Sequence, residues 1–203
     1  MCLPSIKECN EILSGRIALE WDEKDEEIKD LFEKYPDNNN VDEVYEKVKL
    51  LDKKFSTFIH RVDPQNGCRN IARHICSSNF LDNKLKNGDQ TAVDWIANTK
   101  DVIGKFSFSF ATKYSCFSNP PKFPICDRMV CEILRVINEQ KPFYEGSIPS
   151  WAGAYIKRGG ANEWKSVVDS FMRGFGLEKL QYRDIDKYLW IKNHQRKTHE
   201  KSC

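Results

Sequence analysis

The spacing of apolar residues constrains this chain most. In "VDEVYEKVKLLDKKFSTFIHRV" they fall at Val41, Val44, Tyr45, Val48, Leu51, Phe55, Phe58, Ile59 and Val62. Steps of three and four put them on one helix face. The run predicts one long amphipathic helix over 41–62, with "DNNN" before it as a capping loop and "DPQNG" as its stop. The same period runs through "SIKECNEIL", "EWDEKDEEIKDLFEKY", "CRNIARHICSSNF", "TAVDWIANTKDVI", "DRMVCEILRVINE", "NEWKSVVDSFMRGFG" and "YRDIDKYLWIKNHQRK". "LDNKLKNGDQ" and "QKPFYEGSIPS" read as irregular. No convincing period-two strand and no internal repeat is present. The expectation is an all-α fold of eight to ten mostly short helices.

A chain of 203 residues suits one domain or two small lobes on a shared core. We expect a single helical domain over 1–203, with a candidate division near residue 88. Aromatic residues make up 12% of it, enough to build a core. No apolar run approaches the roughly 18 residues of a membrane helix, and the N-terminus lacks a secretory segment. A cytoplasmic protein without a membrane partner is expected. The eight cysteines form no CxxC pair and do not cluster with histidine. That argues against a zinc site and for buried thiols in a reducing compartment. His60 and His74 stand on separate helices and read as surface or satisfied residues.

Net charge is +2, but unevenly spread. Residues 20–36 hold eight acids and three bases, whereas residues 157–203 hold eleven bases and six acids. This fits a polyanion-binding face with an acidic back. It equally fits a solvated acidic helix and a basic tail.

The segment with most chemical content is "SFATKYSCFSNPPKFPICDRMV", residues 109–130. Lys113 lies on an aromatic-rich helix with Phe106, Phe108, Phe110, Tyr114 and Phe117 around it in sequence. Asp127 opens the next helix. A lysine becomes nucleophilic when an apolar pocket disfavours its charged form. A carboxylate at a helix start can act as a base or stabilise a developing cation. Two ordinary roles stand beside these. Lys113 can lay its stem on apolar surface with its head in water, and Asp127 can be an N-cap.

The segment resembles the catalytic region of the helix-hairpin-helix DNA glycosylases, in the prokaryotic branch with the 8-oxoguanine DNA glycosylase fold. "ATK" at 111–113 is similar to the family's Thr-Lys, and "PICD" at 124–127 to its carboxylate segment. "YRDIDKYLW" near the C-terminus is also similar. The family's hairpin glycines are absent from "GKFSFSFA", where only Gly104 remains. The resemblance implies a compact multi-helix fold of that type with a degenerate hairpin. It implies a DNA glycosylase that flips a damaged or modified base from double-stranded DNA and cleaves its N-glycosidic bond. Lys113 would be the Schiff-base nucleophile and Asp127 the activating carboxylate. Abasic-site lyase activity could follow. The base would be an oxidised purine, or a hypermodified base of phage DNA removed as antiviral defence. No cofactor, metal or obligate protein partner is implied.

"YIKRGGANEW" places Lys157 and Arg158 before Gly159 and Gly160 at a helix start, an arrangement suited to a DNA phosphate or simply to a surface loop. Trp151 and Tyr155 precede it and are candidates to stack on a flipped base, with core packing as the alternative. Lys192, Arg196, Lys197 and Lys201 suggest backbone contacts or a disordered end. A non-catalytic helical nucleic-acid- or protein-binding protein that keeps the glycosylase fold is the rival reading.

Overall fold

The computed structural model describes residues 3–202, with side chains as far as Glu200. The described residues form twelve α-helices and one short 3-10 segment, with no strand. The chain divides into two compact units. One comprises residues 1–23 and 124–203, the other residues 24–123. Residue 88 lies inside the second unit, where Gly88 caps a helix.

The first unit holds α1 (Ile6–Leu13), the start of α2 (Arg16–Lys34), α10 (Arg128–Gln140), the 3-10 segment (Ala152–Lys157), α11 (Gly160–Phe175) and α12 (Tyr182–Ser202). α12 packs on α10 and on α1, and the 3-10 segment packs on α11. Val130, Cys131, Ile133, Leu134 and Ile137 of α10 turn inward, steps of one, two and three that make a single stripe. Met129 and Val136 of the same helix are only half-buried. Trp164 of α11 is buried and donates its indole N–H to the Pro124 carbonyl at 3.1 Å.

The second unit holds the rest of α2, then α3 (Val41–Phe55), α4 (Ile59–Val62), α5 (Gly67–Cys76), α6 (Leu81–Asn87), α7 (Thr91–Ala97), α8 (Lys100–Ile103) and α9 (Phe108–Ser118). α3 packs on α5, α7 on α9, and α5 on α8. Nine of the eleven residues of α9 are buried, including both its flanks. A helix that is apolar nearly all round belongs in a core, and α9 is the centre of this unit.

Three expectations are corrected. The single helix over 41–62 breaks, because Ser56 (φ 48°) and Phe58 (φ 62°) take left-handed backbone. The break is held by Asp52, whose carboxylate accepts from the Thr57 hydroxyl and the amides of Ile59 and His60. The predicted helix over 91–103 is two, α7 and α8, separated at Asn98. "LDNKLKNG", expected as a loop, is α6. Leu81 and Leu85 are buried one turn apart, and Gly88 at φ 74° closes the helix.

Candidate functional site

Lys113 is the sixth residue of α9 and only 4% exposed. Its Nζ donates to Ser109 Oγ, one turn back on the same helix, at 2.8 Å. It also lies 5.6 Å from the ring centroid of Phe55, close enough for a cation–π contact. Phe55 packs in turn on Phe117, with centroids 5.8 Å apart. The solvent-reaching lysine considered from sequence is therefore replaced by an amine drawn into an aromatic wall. Phe106 is the exception among the aromatics expected there, at 44% exposure.

The approach to α9 is a helix, a four-residue turn and a second helix. α8 ends at Gly104, whose φ of 76° lets its N–H return to the Lys100 carbonyl at 2.9 Å. Thr99 then fastens residues 104–107. Its hydroxyl contacts the Lys105 carbonyl at 2.6 Å and Ser107 Oγ at 3.0 Å. The Ser107 amide returns to the Ala97 carbonyl at 3.0 Å. No atom lies within 4 Å of where a Gly104 Cβ would sit, so this turn faces open space.

Asp127 is the N-cap of α10, with extended backbone and Oδ1 accepting the Val130 amide at 3.0 Å. The capping role foreseen for it is real. Asp127 belongs to the first unit and Lys113 to the second.

The other candidates lie together in the first unit. Lys157, Arg158 and Gly159 are exposed. Gly159 (φ 106°) and Gly160 (φ 65°) make a left-handed entrance to α11, which has no side-chain cap. Arg158 is engaged locally, donating to the Ser147 carbonyl at 2.8 Å and to Ser147 Oγ at 2.9 Å. Trp151 is 58% exposed, its ring laid over Gly153 so closely that a Cβ there would meet it at 1.9 Å. Tyr155 is fully buried, edge-on to Trp164 with centroids 5.2 Å apart. Burial pushes its hydroxyl far above the ordinary tyrosine range. Its ring is core, which removes it from direct stacking on a base.

The basic C-terminal residues are not a frayed end. Lys192 is buried and pairs with Glu8. Arg196 pairs with Glu200 and Lys197 with Glu132. Lys201 lies outside the described side chains.

The burial of Lys47 was not foreseen. Lys47 on α3 is 1% exposed and donates to the Asp37 carbonyl at 3.0 Å and to Asn38 Oδ1 at 3.1 Å. The same Asn38 oxygen accepts from the Tyr114 hydroxyl, and Asn38 Nδ2 donates to Asp82 at 2.6 Å. Burial lowers the Lys47 amine from 10.5 to about 8, with Asp82 opposing. Asn38 and Asp82 also line a cleft of about 350 Å³ with Pro36, Asn83 and Ser118. The signal was in the sequence: Lys47 stands between Val44 and Leu51, inside the apolar stripe. His60 bonds Asp52 through Nδ1 at 2.5 Å, and His74 bonds the Trp95 carbonyl at 2.9 Å. Among the described residues no group of three or more His, Cys, Asp or Glu could hold a metal. Among the described residues no helix is long and apolar enough to cross a membrane.

Residues 5–122 match the family HI_0787_N, described as an N-terminal domain. A Haemophilus influenzae protein described as uncharacterized is 29% identical over 160 residues, 76% of this chain and 68% of that relative. No solved structure matches. The family match includes Lys113 and ends before Asp127. It covers more than half of the residues, from the start of α1 to the segment after α9, and the chain belongs to the HI_0787_N family.

Proposed function

We propose that this chain is a DNA glycosylase of helix-hairpin-helix type. It binds duplex DNA, takes a modified nucleotide out of the stack and cleaves its N-glycosidic bond. The observation that carries the reading is Lys113: an amine 4% exposed, on the helix that follows a short helix and a four-residue turn. Its Nζ lies against the Phe55 ring, and Ser109 Oγ at 2.8 Å orients it. The Lys113 amine attacks the sugar carbon. The C–N bond to the base breaks, and the base leaves with the electron pair. A carboxylate must take the amine proton, the role that the resemblance implies for Asp127. The substituted sugar then opens its ring C–O bond, the ring oxygen taking a proton, and the imine so formed permits strand cleavage by elimination. Exposed Lys157 and Gly159, beside Arg158, supply a phosphate contact.

The test is base release from duplexes carrying an oxidised purine or a bulky modified pyrimidine. Asp127→Asn keeps a capping oxygen while removing the carboxylate; Asp127→Ala removes both. Loss of base release in Asp127→Asn with an unchanged melting temperature supports the assignment. Full activity in Asp127→Asn contradicts it. The rival, a non-catalytic helical binding protein, draws on one observation: Asp127 Oδ1 already serves the start of α10. It predicts DNA or protein binding with no base release from any duplex.

A further inference from the structure

The α3–α4 turn holds Phe58 in a conformation that costs energy. At φ 62° and ψ 26° its Cβ crowds the following carbonyl, a strain that glycine escapes. Ser56, two residues earlier, is also left-handed. Strain in a bulky residue is normally offset by burial, yet Phe58 is 43% exposed.

The turn is held from beneath. Asp52 is 3% exposed, and its two oxygens take the Thr57 hydroxyl, the Ile59 and His60 amides and His60 Nδ1. Burial opposes its charge, but those bonds hold the carboxyl below the usual range. A buried anion with its acceptors used in this way fixes the turn and leaves Phe58 projecting.

Two cations sit on this strained turn. The Arg61 guanidinium lies 4.5 Å from the Phe58 ring centroid. Lys105 Nζ, from the α8–α9 turn, lies 3.5 Å from the Phe58 carbonyl. The next residue, Phe106, is exposed as well. Neither Arg61 nor Lys105 is in an ion pair among the described residues. Two exposed rings interleaved with two cations form the pattern that binds unpaired nucleic acid, with ring faces for bases and cations for phosphates.

We infer that these two turns form a platform for an unpaired nucleic-acid strand, with Phe58 and Phe106 stacking on bases and Arg61 and Lys105 on phosphates. The inference rests on the nucleic-acid reading above but needs no catalysis. The strand is the single-stranded or unstacked part of a DNA substrate, not a protein.

The test is fluorescence anisotropy with the full chain and labelled oligothymidine, over a salt series. Phe58→Ala and Phe106→Ala are each expected to weaken binding about tenfold. Lys105→Gln is expected to reduce the salt slope by about 0.7. Phe58→Gly discriminates further, because glycine relieves the left-handed strain. Its melting temperature should hold or rise while binding falls. Strand binding unchanged in the two Phe→Ala variants overturns the platform and leaves the glycosylase proposal standing. No binding of the wild type to oligothymidine at low salt also overturns it, and base release from duplexes then judges the glycosylase separately. A concentration-dependent mass increase abolished by Phe58→Ala, without strand binding, assigns the patch to self-association and overturns it too.

Discussion

Replacing Lys47 by methionine turns its burial into a measurable pH dependence. The Lys47 amine titrates at about 8 in the folded chain and at 10.5 when exposed. Between those values the unfolded state holds the proton and the native state has lost it. Stability therefore rises with pH across that window, and the cost of burying the charge is present in full below about 8. A drop from 10.5 to about 8 is worth about 3 kcal/mol between the two protonation states. Of this, about 2 kcal/mol is recovered between about pH 7 and about pH 9.5. Methionine removes the whole effect. It also removes the bonds to the Asp37 carbonyl and Asn38 Oδ1, at about 1 kcal/mol each. Asn38 Oδ1 still receives the Tyr114 hydroxyl. Lys47→Met is thus expected to be about 1 kcal/mol more stable than wild type near pH 7, and less stable by about the same amount near pH 9.5. Urea denaturation of both proteins at each pH reads this, and subtracting one from the other cancels the tyrosine titrations they share. A difference that stays constant across the range refutes the reasoning, since it means that the amine is not held at a depressed value.

Three further expectations follow from the geometry. Asp52→Asn removes an anion that receives several donors and should cost about 3 kcal/mol at neutral pH by denaturant titration. Because the Asp52 carboxyl is held below its usual range, that advantage is present above the ordinary carboxylate range and should vanish as pH falls through the folded value. Asp127→Ala should cost about 1 kcal/mol by loss of the α10 cap, while Asp127→Asn should cost little, as thermal melts can show. Gly159→Ala places a Cβ at φ 106° and should lower the melting temperature by a few degrees, about 1 kcal/mol of strain.

The helical class was legible because burial leaves a period in the sequence. The α10 stripe and the Gly176 stop of α11 (φ 67°) follow from spacing and from the preference of left-handed positions for glycine. The break after Phe55 was not legible. It uses Ser56 and Phe58 where glycine is the usual choice, and it depends on one buried carboxylate that looks like any exposed aspartate in the sequence. α6 was missed because its polar residues outnumber Leu81 and Leu85, although the i, i+4 pair and Gly88 marked it. Of the candidate site, the aromatic setting of Lys113 could be read from "SFATKYSCF", and the cap at Asp127 from "PICD". Tyr155 could not be separated from a pocket residue by spacing alone, since core and pocket aromatics share the same helical period. Lys47 was overlooked because lysine is so often a surface residue, even though Val44, Leu50 and Leu51, three and four residues away, are apolar.

The central claim is that Lys113 attacks the sugar. The most direct measurement is borohydride reduction of the full chain with duplex DNA carrying an abasic site, followed by peptide mass spectrometry of the adduct. Lys47→Gln and Lys113→Gln proteins run in parallel. The account predicts a covalent adduct on the peptide containing Lys113, retained in Lys47→Gln and lost in Lys113→Gln. An adduct at Lys47, or no adduct on DNA that the protein demonstrably binds, would contradict it.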